Sequence, residues 1–183
     1  QLPDNAPAWE RALWHSGLQE LSYQPGQPRQ RDLRVISYNL NALPFGASLF
    51  GGPGHDFRDA RLHEFVGRPE LKKCHVLLLQ EVFATPVLRS VLCRQTWLLK
   101  ELAAKGFVHQ VKSPLRVSLR CYTDSGLLIA SKLPVLESGF EAFAQGRHLD
   151  AGAAKGIMYA KLQVGSRQLY VFNTHLQASH SSA

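Results

Sequence analysis

Residues 75–83 read HVLLLQEVF, an apolar run interrupted only by Gln80 and Glu81 near its end. The run is far short of the roughly 20 residues a membrane-spanning helix needs. Its make-up suits a strand that is buried rather than half-exposed. A second run, LRVISYNL at 33–40, is rich in β-formers and reads as another buried strand. Between them lie a Gly- and Pro-rich stretch from Asn41 to His55, which predicts a loop, and DFRDARLHEFVGRPELKK, helical in pattern around Leu62, Phe65 and Val66.

After the second strand, residues 86–106 predict a helix, with Pro86 in its first turn and Gly106 just past its end. The pattern then changes to short strands in FVHQV, SGLLIAS, GIMYAKLQV and RQLYVFNTHL, and Gly165 and Ser166 between the last two predict a hairpin turn. A strand–helix–strand–helix opening followed by strands argues a layered α/β domain. Ahead of it, residues 1–32 read as a short amphipathic helix around Trp14, Leu18 and Leu21, weakened by Gly17, and a Pro/Gln-rich linker.

The chain has 183 residues, 45% of them hydrophobic, which is enough for one core and argues against disorder. Its net charge of +7 favours anionic partners or is simply a solvated surface, since the Lys and Arg are scattered. Cys74, Cys93 and Cys121 have neither metal-finger spacing nor the number for a disulfide framework. Cys74 precedes an apolar run and is expected to be a small core residue; one disulfide is left open. No apolar stretch reaches transmembrane length, and there is no signal-peptide pattern.

Three strands end in polar residues suited to phosphate or metal chemistry. Glu81 ends the 75–83 run, where a carboxylate is expensive to bury unless it is paired or bound to a cation. Asn39 ends RVISYN and offers a carbonyl oxygen to a hard metal and an amide donor to a phosphate. His175 ends LYVFNTH and can hydrogen-bond or protonate a phosphate oxygen near neutral pH. Each alone has an ordinary structural explanation: an emerging Glu, a turn-forming Asn, a packing His. Asn41 fits the turn role better than Asn39, and Asn173 either orients a neighbour or begins a turn. If the strands are neighbours, Asn39, Glu81 and His175 meet on one rim. One Glu with one Asn suits Mg²⁺, which keeps waters and substrate phosphate in its shell.

The ordered set SYNLNALP, LLLQEVF, SGLLIASKLPV, AAKGIMYAKL and FNTHLQAS, from about Leu33 to about Ser179, resembles the neutral sphingomyelinase branch of the endonuclease/exonuclease/phosphatase (DNase I-like) superfamily. The resemblance implies a four-layer α/β sandwich, two packed β-sheets flanked by helices, incomplete at the C-terminus. It divides the chain into 1–32, an N-terminal helix and linker, and 33–183, the N-terminal part of a catalytic domain. It also implies Mg²⁺ as cofactor, with Glu81 as the main metal ligand and Asn39 at the metal–phosphate site. His175 would contact the scissile phosphate, and Asn173 and Lys155, the latter in AAKG, would lie on the substrate side. Without the resemblance, Lys155 reads as a solvated loop charge, and Ser125 and Gly126 shape the start of a strand.

The implied reaction is hydrolysis of sphingomyelin, or a related phospholipid at a membrane surface, to ceramide and phosphocholine. The family's C-terminal base His with its Asp, and its Asp-x-Asn motif, have no counterpart here, so the chain is expected to be a fragment inactive by itself. Secreted and peripheral membrane-associated members share these motifs, and either location is implied. Two alternatives stand beside this reading. One is a nuclease or phosphoinositide phosphatase of the same superfamily, with nucleic acid the less favoured partner. The other is a non-catalytic lipid- or partner-binding module. Leu43–Phe45 and Ser48–Phe50 are candidate membrane contacts.

Overall fold

The computed structural model describes residues 32–42, 57–84, 94–114, 123–143 and 155–176. Their elements are β1 (Val35–Ala42), α1 (Arg58–Gly67), α2 (Glu70–Lys73), β2 (Val76–Val82), α3 (Arg94–Ala104), β3 (His109–Lys112), β4 (Leu128–Ser131), β5 (Val135–Ala142), β6 (Gly156–Val164) and β7 (Arg167–Thr174). One sheet has the order β1-β2-β4-β3, and the other β5-β6-β7. β1 runs parallel to β2, with Asn39 paired to Gln80; the other pairings are antiparallel.

Side-chain alternation along β2 builds a core on each side of the first sheet. Leu77 and Leu79 face Leu62, Phe65 and Val66 of α1, Leu71 of α2, and Leu98 and Leu102 of α3. Val76 and Leu78 point the other way, into a second core with Ile129 of β4, Met158, Ala160 and Leu162 of β6, and Val171 of β7. The described layers are therefore helices, first sheet, second sheet. This is the α/β sandwich that the sequence implies.

Several local expectations hold. Cys74 is a buried free thiol whose Sγ–H donates to the carbonyl of Val76 at 3.0 Å. Gly165 and Ser166 form the turn between β6 and β7, with Gly165 at φ +60°, a conformation glycine adopts at little cost. Gly106 follows α3 at φ +91°.

Other expectations need correction. β1 is not a fully buried strand: it lies at an edge of its sheet among the described residues, and Tyr38 is 52% exposed, stacked on Phe65. The helical stretch after Phe57 is two helices. Pro69 holds the preceding Arg68 out of the α region at ψ 130°, and the helix restarts after it. β5 was not foreseen, because Ser138 and Gly139 interrupt its alternation. The expected first turn of the third helix at Pro86, Cys93, Cys121, the N-terminal helix and the LPF and SLF segments lie outside the described residues.

Gly126 shapes the start of β4. It has φ +67°, and a Cβ there would sit 2.8 Å from the Phe83 ring. Gly126→Ala should lower stability by about 1–3 kcal/mol, combining a strained φ with an overpacked contact. A urea denaturation midpoint unchanged from the unmodified chain would show that the ring yields freely.

Candidate functional site

The residues singled out at the strand ends come together. Asn39 ends the regular pairing of β1, and its amide Nδ2 donates to Glu81 Oε1 at 2.8 Å. Asn39 Oδ1 accepts the backbone N–H of Asn41 at 2.8 Å. Because that N–H can only donate, it orients the amide, and the nitrogen is left facing the carboxylate. His175, directly after β7, brings Nε2 within 3.6 Å of the same Glu81 oxygen. Lys155, just before β6 and only 8% exposed, has Nζ 3.4 Å from His175 Nδ1. An ammonium has no lone pair, so Nδ1 is the acceptor and Nε2 carries the hydrogen that points towards Glu81.

The backbone explains how two sheets share this site. By alternation Glu81 would follow Leu77 and Leu79 towards the helices. Instead the β1–β2 register shifts between Asn39 and Ala42, and both Asn41 (φ 47°) and Glu81 (φ 57°) take left-handed conformations. This is a β-bulge at a sheet edge, a device that re-aims a side chain. Asn41 thus lies in the irregular part of β1 rather than in a turn, and Asn39 divides its side chain between the Asn41 N–H and Glu81.

Lys155 and Asn173 are both buried. Lys155 is not a solvated loop charge; the segment around Gly156 carries it inward behind His175. Asn173 is 2% exposed and lies between the sheets. Its Nδ2 donates to the carbonyls of Leu79 and Leu128 at 2.9 and 3.1 Å, and its Oδ1 accepts from Gln80 Nε2 at 2.7 Å. Those bonds tie β7 to the Leu79–Leu128 pair of β2 and β4.

The donor set fits Mg²⁺ without a protein-built cage. The described residues hold no cluster of three His, Cys, Asp or Glu suited to a metal. Both contacts to Glu81 use Oε1, and Oε2 takes neither of them. One carboxylate is what Mg²⁺ accepts when waters and a substrate phosphate complete its octahedron, and the Asn39 amide N–H steadies that carboxylate. Beside Asn39, a groove of about 780 Å³ runs along β1 and α1, floored by Tyr38, Leu40 and Phe65 with Arg61 and Glu64 among its lining residues. It adjoins the polar cluster and is not centred on it.

A polar residue missed in the sequence is Asp124, which is 1% exposed. Burial pushes its carboxyl above the ordinary range, and hydrogen bonds from Ala84, Gln95, Ser113 and Gly126 oppose that shift. Its signal was a carboxylate immediately before the apolar SGLLIA run.

The chain matches no family model. It is similar to a Dictyostelium discoideum sphingomyelinase, 31% identical over 121 residues, covering 61% of this chain and 25% of the relative. By fold it is similar to sphingomyelinase C from Streptomyces griseocarneus, with a TM-score of 0.65, 24% identity, and coverage of 81% of this chain and 50% of that one. It is also similar to beta toxin from Staphylococcus aureus solved with bound magnesium ions, with a TM-score of 0.62, 21% identity, and coverage of 82% of this chain and 51% of that one. The chain thus spans a quarter of the first relative and about half of the two solved structures. Over part of its length this chain is thus similar in sequence to sphingomyelinases, and its two packed sheets share the α/β sandwich fold of these two solved structures.

Proposed function

We propose that this chain carries the Glu81 face of a Mg²⁺-dependent phosphodiesterase site, and that the protein hydrolyses sphingomyelin to ceramide and phosphocholine at a membrane surface. The observation that carries the reading is the convergence of Asn39, Glu81 and His175 from β1, β2 and the end of β7 on one carboxylate oxygen. Within the superfamily, the similarity to sphingomyelinases favours a phospholipid over a nucleic acid or phosphoinositide.

The hydrolysis forms a bond from water oxygen to phosphorus and breaks the bond from phosphorus to the ceramide oxygen. Ceramide leaves carrying a proton. Glu81 would hold the metal through its carboxylate, with Asn39 fixing that carboxylate by its amide N–H. Mg²⁺, when bound there, offsets negative charge on the phosphate and on the leaving oxygen. His175 would donate its Nε2 hydrogen to a phosphate oxygen, and Lys155 behind it sets that tautomer and adds positive charge.

The deciding experiment is release of phosphocholine from sphingomyelin vesicles by the protein, titrated with Mg²⁺ and chelated with EDTA. Metal-dependent release supports the reading. Cleavage of a DNA oligonucleotide or a phosphoinositide in its place supports the alternative within the superfamily, and lipid binding without turnover supports a binding module.

The membrane-facing part of the proposal has its own test. Among the described residues no helix is long and apolar enough to cross a membrane. The proposed contact is peripheral, through Phe45 and Phe50, in a secreted or membrane-associated protein. Phe45→Ser with Phe50→Ser should weaken vesicle co-sedimentation at least about a hundredfold, since each lost aromatic contact removes roughly 1.5–3 kcal/mol of burial when fully inserted and about 1.4 kcal/mol is tenfold in affinity. Unchanged co-sedimentation would remove these residues from the membrane role.

A further inference from the structure

The segment just after Glu81 is held at four backbone positions by groups that the proposed chemistry does not use. Val82 N–H donates to the Gly126 carbonyl at 2.9 Å. The Val82 carbonyl accepts from Gln95 Nε2 at 2.8 Å. Ala84 N–H donates to Asp124 Oδ1 at 2.9 Å, and the Ala84 carbonyl accepts from Thr123 Oγ1 at 3.0 Å. Asp124 joins these clamps. Its Oδ1 also accepts from Gly126 N–H at 3.2 Å, and its Oδ2 accepts from Gln95 Nε2 and Ser113 Oγ, each at 3.1 Å.

All of the partners on the Asp124 carboxyl oxygens donate. A carboxylate satisfies them together, whereas an amide at the same place would turn an NH₂ towards one pair of donors. Glu81 itself has φ 57°, a conformation that costs a non-glycine residue roughly 1–2 kcal/mol and persists only where its surroundings over-determine it.

We infer that Asp124 is a positioning residue: through Ala84, Gln95 and Gly126 it holds the end of β2 so that Glu81 keeps its left-handed backbone and presents its carboxylate at the rim. This inference rests on the reading of Glu81 as the Mg²⁺ ligand. It adds a residue with no place on the rim, acting from α3, β3 and the start of β4.

The test titrates MgCl₂ into the full chain by calorimetry and reads the Glu81 Cα and Cβ chemical shifts, which report its φ. Asp124→Asn should weaken Mg²⁺ binding about ten- to hundredfold, the usual cost of losing an outer-shell partner. It should also move the Glu81 shifts out of the left-handed range. Gln95→Met, which removes one arm of the network, should give a smaller effect in the same direction should Asp124→Asn fail to fold. Leu102→Ala, a core truncation in α3 away from the network, serves as a control for general destabilisation and should leave both readouts unchanged.

If the unmodified chain binds no Mg²⁺, or Glu81→Gln binds it as well as the unmodified chain does, the metal assignment falls. If Glu81→Gln loses binding while the Asp124 and Gln95 variants keep it with unmoved Glu81 shifts, the metal assignment stands and the positioning role is overturned.

Discussion

Glu81→Gln is expected to lower Mg²⁺-dependent turnover about 10²–10³-fold, the scale on which a single group that stabilises transition-state charge is felt. The substitution keeps the shape of the side chain and an oxygen that can accept from Asn39 Nδ2, so the contact of 2.8 Å has a replacement. It removes the negative charge that a hard cation needs, at a strand end where the described residues supply no cluster of three metal-suited side chains. The thermal midpoint should therefore move little while the Mg²⁺ concentration for half-maximal activity rises sharply. Turnover rates at graded Mg²⁺ and a melting curve in EDTA check the two halves of this expectation. Normal turnover in the variant would mean that another carboxylate holds the metal.

His175→Ala should reduce kcat about 10²–10⁴-fold with KM little changed, as for loss of a group that donates to the reacting phosphate in the transition state. The ring follows β7 and is held between Lys155 Nζ at 3.4 Å and Glu81 Oε1 at 3.6 Å, so its Nε2 hydrogen points at the rim before substrate arrives. Removing it also leaves Lys155 and Glu81 without an intervening group, which changes the field at the site without touching either core. Steady-state kinetics on sphingomyelin vesicles separate the two parameters. A rise in KM with kcat unchanged would recast His175 as a binding group only.

Much of the fold was legible because local pattern and burial agree. The apolar runs of β2, β4, β6 and β7 are short, rich in β-formers and bounded by turn residues, and each became a strand. Asn39, Glu81 and His175 were visible for the opposite reason: each is a polar residue closing a run that is otherwise apolar. β5 was hidden because Ser138 and Gly139 dilute its alternation, and Gly139 is needed where a Cβ would meet the Tyr159 ring at 2.4 Å. Asp124 was hidden because a carboxylate ahead of a strand looks like a loop residue until its donors from α3, β3 and the end of β2 are brought around it.

Two placements depended on the third dimension. Lys155 sits in a small-residue segment that reads as solvent-facing, yet the pairing of β6 with β7 carries it beneath His175. Asn173 is one position before a strand end, and its parity points it into the gap between the sheets, where it donates to the carbonyls of Leu79 and Leu128.

The amino-acid sequence by itself determined which segments become strands and helices, and it placed chemically useful side chains at the strand ends. Hydrophobic periodicity and turn residues act over a few positions, so they are written locally. Only the tertiary structure decided that these ends meet. The parallel register of Asn39 with Gln80, the bulge that turns Glu81 off its expected face, and the packing of β7 over β2 are properties of sheet pairing between distant segments, where the gain comes from burying two apolar faces together.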